Sequence, residues 1–148
     1  MTTTVHRPSP ADLATPTAKN RSADRTAELL APAELGTWRF RPALTQAVRH
    51  SQMGPHPRLL ALILTAYAHG RTGVIRDERQ PGLSGLAVDT GLTVSQVLIA
   101  LEVLITRGWA TVTHPTPDRI HVQPRIPQFA FNRVRANSNT TGRTTNDA

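Results

Sequence analysis

The chain of 148 residues contains no cysteine. That excludes disulfides, thiolate zinc sites and cysteine nucleophiles together. It also lacks any run of 18 apolar residues, so no membrane span is expected. The first twenty residues, MTTTVHRPSPADLATPTAKN, hold no apolar core of the kind a secretion signal needs. Aromatic residues make up only 4% of the chain, which leaves Leu, Ile, Val and Ala to build the interior. Acidic residues are missing from one long stretch. Residues 35–76 carry Arg39, Arg41, Arg49, Arg58, Arg71 and Arg76 and not one carboxylate.

What is present is basic. The net charge is +7, and arginine outnumbers lysine 16 to 1, the usage of a GC-rich and, by expectation, bacterial genome. Residues 1–34 are neutral, residues 77–118 carry −3 and residues 119–148 carry +4. A basic surface favours polyanions, nucleic acid first among them. Its bland explanation is solubility. The expected location is cytoplasmic, and nucleoid-associated when bound to DNA.

The length suits one domain. Residues 1–34 are rich in Thr, Ala, Pro and Ser and read as a disordered N-terminal tail. Residues 35–127 read as the domain. Residues 128–148 end in ANSNTTGRTTNDA and read as a polar, basic, flexible tail. Inside the domain, PALTQAVRHS begins a helix near Pro42, with Leu44, Ala47 and Val48 on one face. A stronger helix runs from Pro57 towards Gly70, with Leu59, Leu60, Ile63, Leu64 and Tyr67 as its apolar stripe. TGVI at 72–75 predicts a short strand. LSGLAVDTG predicts a short helix with Ser84 at its cap, Leu86 and Val88 inward, and Gly91 at its end. GLTVSQVLIALEVLITRGW then predicts a longer helix, capped by Thr93 and closed by Gly108. WATVTHPTPDRIHVQP reads as two strands about a turn, with Ile120 and Val122 alternating with His121.

The segment LSGLAVDTGLTVSQVLIALEVLITRGWATV resembles the winged helix-turn-helix core of bacterial regulators, broadly of the MarR-like and GntR-like kind. The resemblance rests on Leu86, Ala87, Thr90, Gly91, Leu92, Val97, Ala100, Leu101, Leu104, Gly108 and Trp109, and covers roughly residues 56–124. It implies an α+β fold, mostly α, with a two-stranded wing. It implies sequence-specific binding of double-stranded DNA by a homodimer that regulates transcription, with no cofactor and no enzymatic activity. In proteins of this kind the second helix enters the major groove. The residues so placed here are Thr93, Val94, Ser95 and Gln96, with Ile99 on the same face and Arg107 at the end. Gln96 has the groups to pair with adenine. Arg119 on the wing, with Arg125 and Arg58 on its flanks, is expected to hold phosphates. Arg133 and Arg135 follow in the tail.

One departure from the family pattern raises an alternative. The outward face of the second helix has no arginine before Arg107, and it carries Glu102. Leu98, Ile99 and Val103 offer an apolar surface instead. A winged-helix module that contacts protein through that face is the competing reading. A plasmid or phage replication or partition protein would use the same DNA chemistry. Nucleotide-binding loops and nucleophile elbows are missing from the sequence. The six histidines form no metal signature, although His114 and His121 fall on the two strands of one hairpin.

Overall fold

The computed structural model describes residues 18–141, and the side chains of residues 21–140. Within them lie α1 (Ala18–Leu30), α2 (Phe40–Arg49), α3 (Pro55–Tyr67), α4 (Gly82–Thr90), α5 (Val94–Thr106), β1 (Ala110–Thr116), β2 (Arg119–Pro124) and α6 (Gln128–Thr141). The fold is therefore α+β and mostly α. β1 and β2 form one antiparallel hairpin, with Ala110 opposite Pro124 at its base and Thr116 opposite Arg119 at its tip.

Helix periodicity explains the core. In α2, Phe40, Ala43, Leu44, Ala47 and Val48 are buried, the spacing of one helical face. α3 opens at Pro55 rather than Pro57, and both prolines fall in its first turn, where their missing N–H groups cost nothing. Leu60 and Leu64 are fully buried, and the Thr65 hydroxyl donates to the Ala61 carbonyl at 2.8 Å. α5 buries Val97, Ala100, Leu101 and Leu104 and packs chiefly on α3, with α4 and β1 beside it.

Both ends of α5 are closed by side-chain and backbone devices. At its start the Thr93 hydroxyl accepts from the Gln96 amide at 3.2 Å, and the Gln96 side-chain oxygen accepts from the Thr93 amide at 3.0 Å. This reciprocal pair satisfies two donors that the first turn leaves over. At its end Gly108 turns left-handed, with φ +79. The Gly108 amide then donates to Ile105, and the Trp109 amide donates to Leu104 at 2.7 Å. That is the Schellman pattern, and it sends the chain straight into β1. A Cβ on Gly108 would also sit 2.7 Å from the Leu30 carbonyl, so the position is closed to larger residues twice over.

Three local expectations are corrected. Residues 72–75 form no strand. Thr72 and Gly73 belong to the turn that follows α3, with Gly73 at φ +76, and beyond it the Gln123 side chain takes the place of a neighbouring strand by bonding both backbone groups of Ile75. Ser84 does not cap α4, because the helix begins at Gly82, after Pro81. Val88 does not face inward but is 80% exposed, and Leu86 is the buried residue of α4.

The two expected tails also differ where they are described. Residues 1–17 and 142–148 lie outside the described residues. Residues 18–30 form α1, which is exposed from Arg21 to Leu29. Residues 128–141 form α6, and its Ala130, Phe131 and Val134 are buried. Trp38 meets Phe131 edge-on at 5.6 Å, and Trp109 meets Phe129 edge-on at 6.1 Å. The core thus extends past residue 127. The stretch between α1 and α2 is stitched to the segment leaving the hairpin: Ala33 donates to Ile126 and Gln128 donates to Ala31, both at 2.9 Å.

Candidate nucleic-acid interface

α4 and α5 are joined by three residues and bent by 99°. Gly91 makes the corner with φ +70. Thr90 fastens it, donating its hydroxyl to Leu86 at 2.6 Å and accepting from the Leu92 amide at 3.3 Å. The bend leaves one long face of α5 clear of the other described residues. Ser95, Ile99, Glu102 and Thr106 lie along that face, and all four are exposed. Ile99 is the most exposed of the large apolar residues on the helix, at 68%.

The hairpin stands beside the start of α5. A groove of about 460 Å³ separates them, lined by Ser84 and Leu83 of α4, by Val94, and by Asp118, Arg119 and His121 of the hairpin. The groove therefore brings Val94 and Arg119 together. Thr93 is committed to the helix cap, and so is Gln96. A bidentate contact between Gln96 and adenine requires its carboxamide oxygen to leave the Thr93 amide, so its first role is structural.

Other expected site residues fall elsewhere. Arg58 is half-buried, and its guanidinium donates to the carbonyls of Ser51, at 2.8 Å, and Met53, at 3.3 Å. It ties the loop before α3 and is not a free phosphate contact. Arg107 lines a shallow pocket with Trp109, Phe129 and Arg133, at the far end of α5 from the groove. Arg125 follows β2 at the base of the hairpin, whereas Arg119 marks its tip. At about 3.3 Å per residue that puts roughly 20 Å between their backbones. Arg133 donates to the His50 carbonyl at 3.1 Å, and Arg135 lies 5.9 Å from the centre of the Phe131 ring.

The apolar alternative is also sorted by burial. Leu98 is 47% exposed, and Val94 is 44% exposed. Val103 is half-buried, so it contributes less to an outer surface than its sequence position suggests. His121 sits opposite Thr113, and its Nδ1 lies 3.4 Å from an Asp77 carboxylate oxygen. His114 is exposed. Among the described residues no group of three His, Asp or Glu side chains is placed to hold a metal.

Two glutamines set the position of the hairpin, and neither stands out in the sequence. The Gln80 side chain accepts from the Val122 amide at 2.9 Å and donates to the Val122 carbonyl at 3.1 Å and the Ile75 carbonyl at 3.2 Å. Gln123 accepts from the Ile75 amide at 2.8 Å and donates to its carbonyl at 2.7 Å. Their carboxamides act as single-residue strands, holding the hairpin to the segment before α4. Among the described residues no single helix is long and apolar enough to cross a membrane; α4 and α5 pass that test only as a sharply bent pair. No family model, curated protein or solved structure matches the chain.

Proposed function

We propose that α4, the Gly91 corner, α5 and the hairpin work as a winged helix-turn-helix that binds double-stranded DNA with sequence preference. The observation that carries the proposal is the free outer face of α5 beside a hairpin bearing Arg119. A helix is of a size to enter the major groove, and a hairpin next to its start would lie over the adjoining backbone. Ser95 stands where a base edge is met, with Ile99 one turn further on, suited to a thymine methyl. Arg119 supplies a phosphate contact. A homodimer would place two such helices on half-sites one turn of DNA apart, and steric block or recruitment would then regulate transcription. The same contacts would serve a plasmid or phage replication or partition protein. No catalytic step belongs to this proposal.

A salt series tests it. The logarithm of the association constant should fall linearly with the logarithm of salt concentration. Arg119→Ala should weaken binding to every duplex and reduce the slope by about one, whereas Ser95→Ala should relax preference at one base position and leave the slope alone. Affinity that is insensitive to salt and to both substitutions would remove the proposal.

A second reading is favoured by a separate observation. Between Thr93 and Arg107 the helix carries no cation, and it exposes Val94, Leu98 and Ile99. An apolar face of this kind suits a protein partner, with the winged helix serving as an interaction module.

A further inference from the structure

Away from the α5 face, a cleft of about 700 Å³ opens between the segment following α1, the turn following α3 and the segment leaving β2. Its walls include Trp38, Phe40, Arg71, Val74, Gln123 and Arg125. Among the described residues no Asp or Glu lines it. Neither the Arg71 nor the Arg125 side chain has a hydrogen bond or an ion pair among the described residues. Two arginines without a counter-charge among the described residues therefore line one cavity.

The walls are fixed by backbone bonds. Phe40 donates to Arg71 at 3.2 Å, Arg41 donates to Gly70 at 3.0 Å, and Gly73 donates to His69 at 2.9 Å. These pin the Arg71 turn to the start of α2. Gly73 has φ +76, and a Cβ there would lie 2.5 Å from the Phe40 ring, so the turn lies directly on the aromatic wall. On the opposite side Arg125 donates its amide to Trp109 at 2.7 Å, and Gln123 is held by Ile75. Both arginines thus extend from anchored main chain, which lowers the ordering cost of gripping a ligand.

We propose that this cleft binds a phosphate monoester with a flat apolar body, of mononucleotide size. The charge selects the head group. A phosphate monoester carries roughly −1.5 to −2 near neutral pH, which two guanidiniums balance, and their planar forks match its oxygens. The walls select the body. Half-buried Trp38 and exposed Val74 offer ring and aliphatic surface, Phe40 and Ile126 back the walls from the core, and the volume lies within the usual range for small-ligand sites of roughly 300–1,000 Å³. The site is separate from the proposed DNA face and does not depend on it.

Titration calorimetry on the full chain tests this with the four nucleoside 5′-monophosphates, adenosine and inorganic phosphate as separate ligands. At least one monophosphate should bind about tenfold or more tightly than inorganic phosphate, and adenosine should give no measurable heat. Arg71→Ala and Arg125→Ala should each weaken that binding about tenfold, the loss of one charge-assisted contact. Both residues are exposed, and their side chains have no partner among the described residues, so the thermal midpoint without ligand should not move. Absence of binding by all four monophosphates, equal binding of inorganic phosphate, or unchanged affinity in both variants would overturn the assignment.

Discussion

At the scale of single residues, the contact between Tyr67 and Asp89 joins the end of α3 to α4. The tyrosine hydroxyl donates to the aspartate carboxylate. That hydrogen bond raises the Tyr67 pKa above its ordinary 10.0, partial burial and the aspartate's charge raise it further, and Arg79 opposes them. A folded-state value above the unfolded one means the contact's stabilisation is complete below pH 10 and disappears as pH rises through the raised value. Tyr67 is the chain's single tyrosine. A spectrophotometric titration of phenolate absorbance should therefore give one midpoint, above 10, and Asp89→Ala should bring it down towards 10. A native midpoint at or below 10 would show that the contact does not persist in solution. The same scale explains part of what sequence conceals. Thr93 is recognisable as a cap, because its residue type and position before an apolar run suffice. That Gln96 completes the cap is also written in the spacing, yet Gln96 equally suits an adenine reader, and residue type alone does not choose between them.

At the scale of elements, α2, α3, α5 and the hairpin are legible because each has an apolar period that matches its geometry. α6 is not. Phe129, Ala130, Phe131 and Val134 are too few, and the Asn and Thr residues after them too polar, to announce a helix. Its stability comes from packing on α2 rather than from propensity. Phe131→Ala removes a buried ring that also holds Trp38, and should cost about 4 kcal/mol, read as a fall in the denaturant midpoint with a red shift in tryptophan emission. A change within a few tenths of a kcal/mol would mean that α6 does not dock. The glutamine clamps are hidden for a different reason. Gln80 and Val122 lie 42 residues apart, Gln123 and Ile75 lie 48 apart, and each glutamine bonds to backbone, which carries no residue-specific signal. Gln80→Met keeps the side-chain length and removes three hydrogen bonds. The substitution should destabilise the protein by about 1–3 kcal/mol and accelerate hydrogen exchange at the Val122 amide, without disturbing amides in α2. Unchanged exchange at Val122 would show that the clamp does not hold the hairpin.

At the scale of the whole molecule, charge and shape are separated. The segment holding α4, α5 and β1 belongs to the stretch of the chain that carries −3, while the arginines gather in α2, α3, α6 and the segments around the cleft. Several of those arginines are engaged: Arg41 donates to the Ala68 carbonyl, Arg58 holds the loop before α3, and Arg133 donates to the His50 carbonyl. The outer face of α5 therefore offers shape and apolar surface more than charge. Ile99→Arg makes the two readings of that face give opposite results. The side chain is exposed and points away from the core, so the fold should tolerate the change. On a helix lying in a major groove, the added cation should raise affinity for all duplexes about three- to tenfold at low salt. It should also steepen the salt dependence by about one and leave sedimentation behaviour unaltered. On a helix covered by protein, the same cation would be buried without a counter-charge. The complex would then dissociate in sedimentation velocity, and duplex affinity would remain negligible. The proposed DNA function predicts the first three results. The second pair would transfer α5 from nucleic acid to a protein interface, while the cleft beside Arg71 and Arg125 would remain to be judged on its own titration.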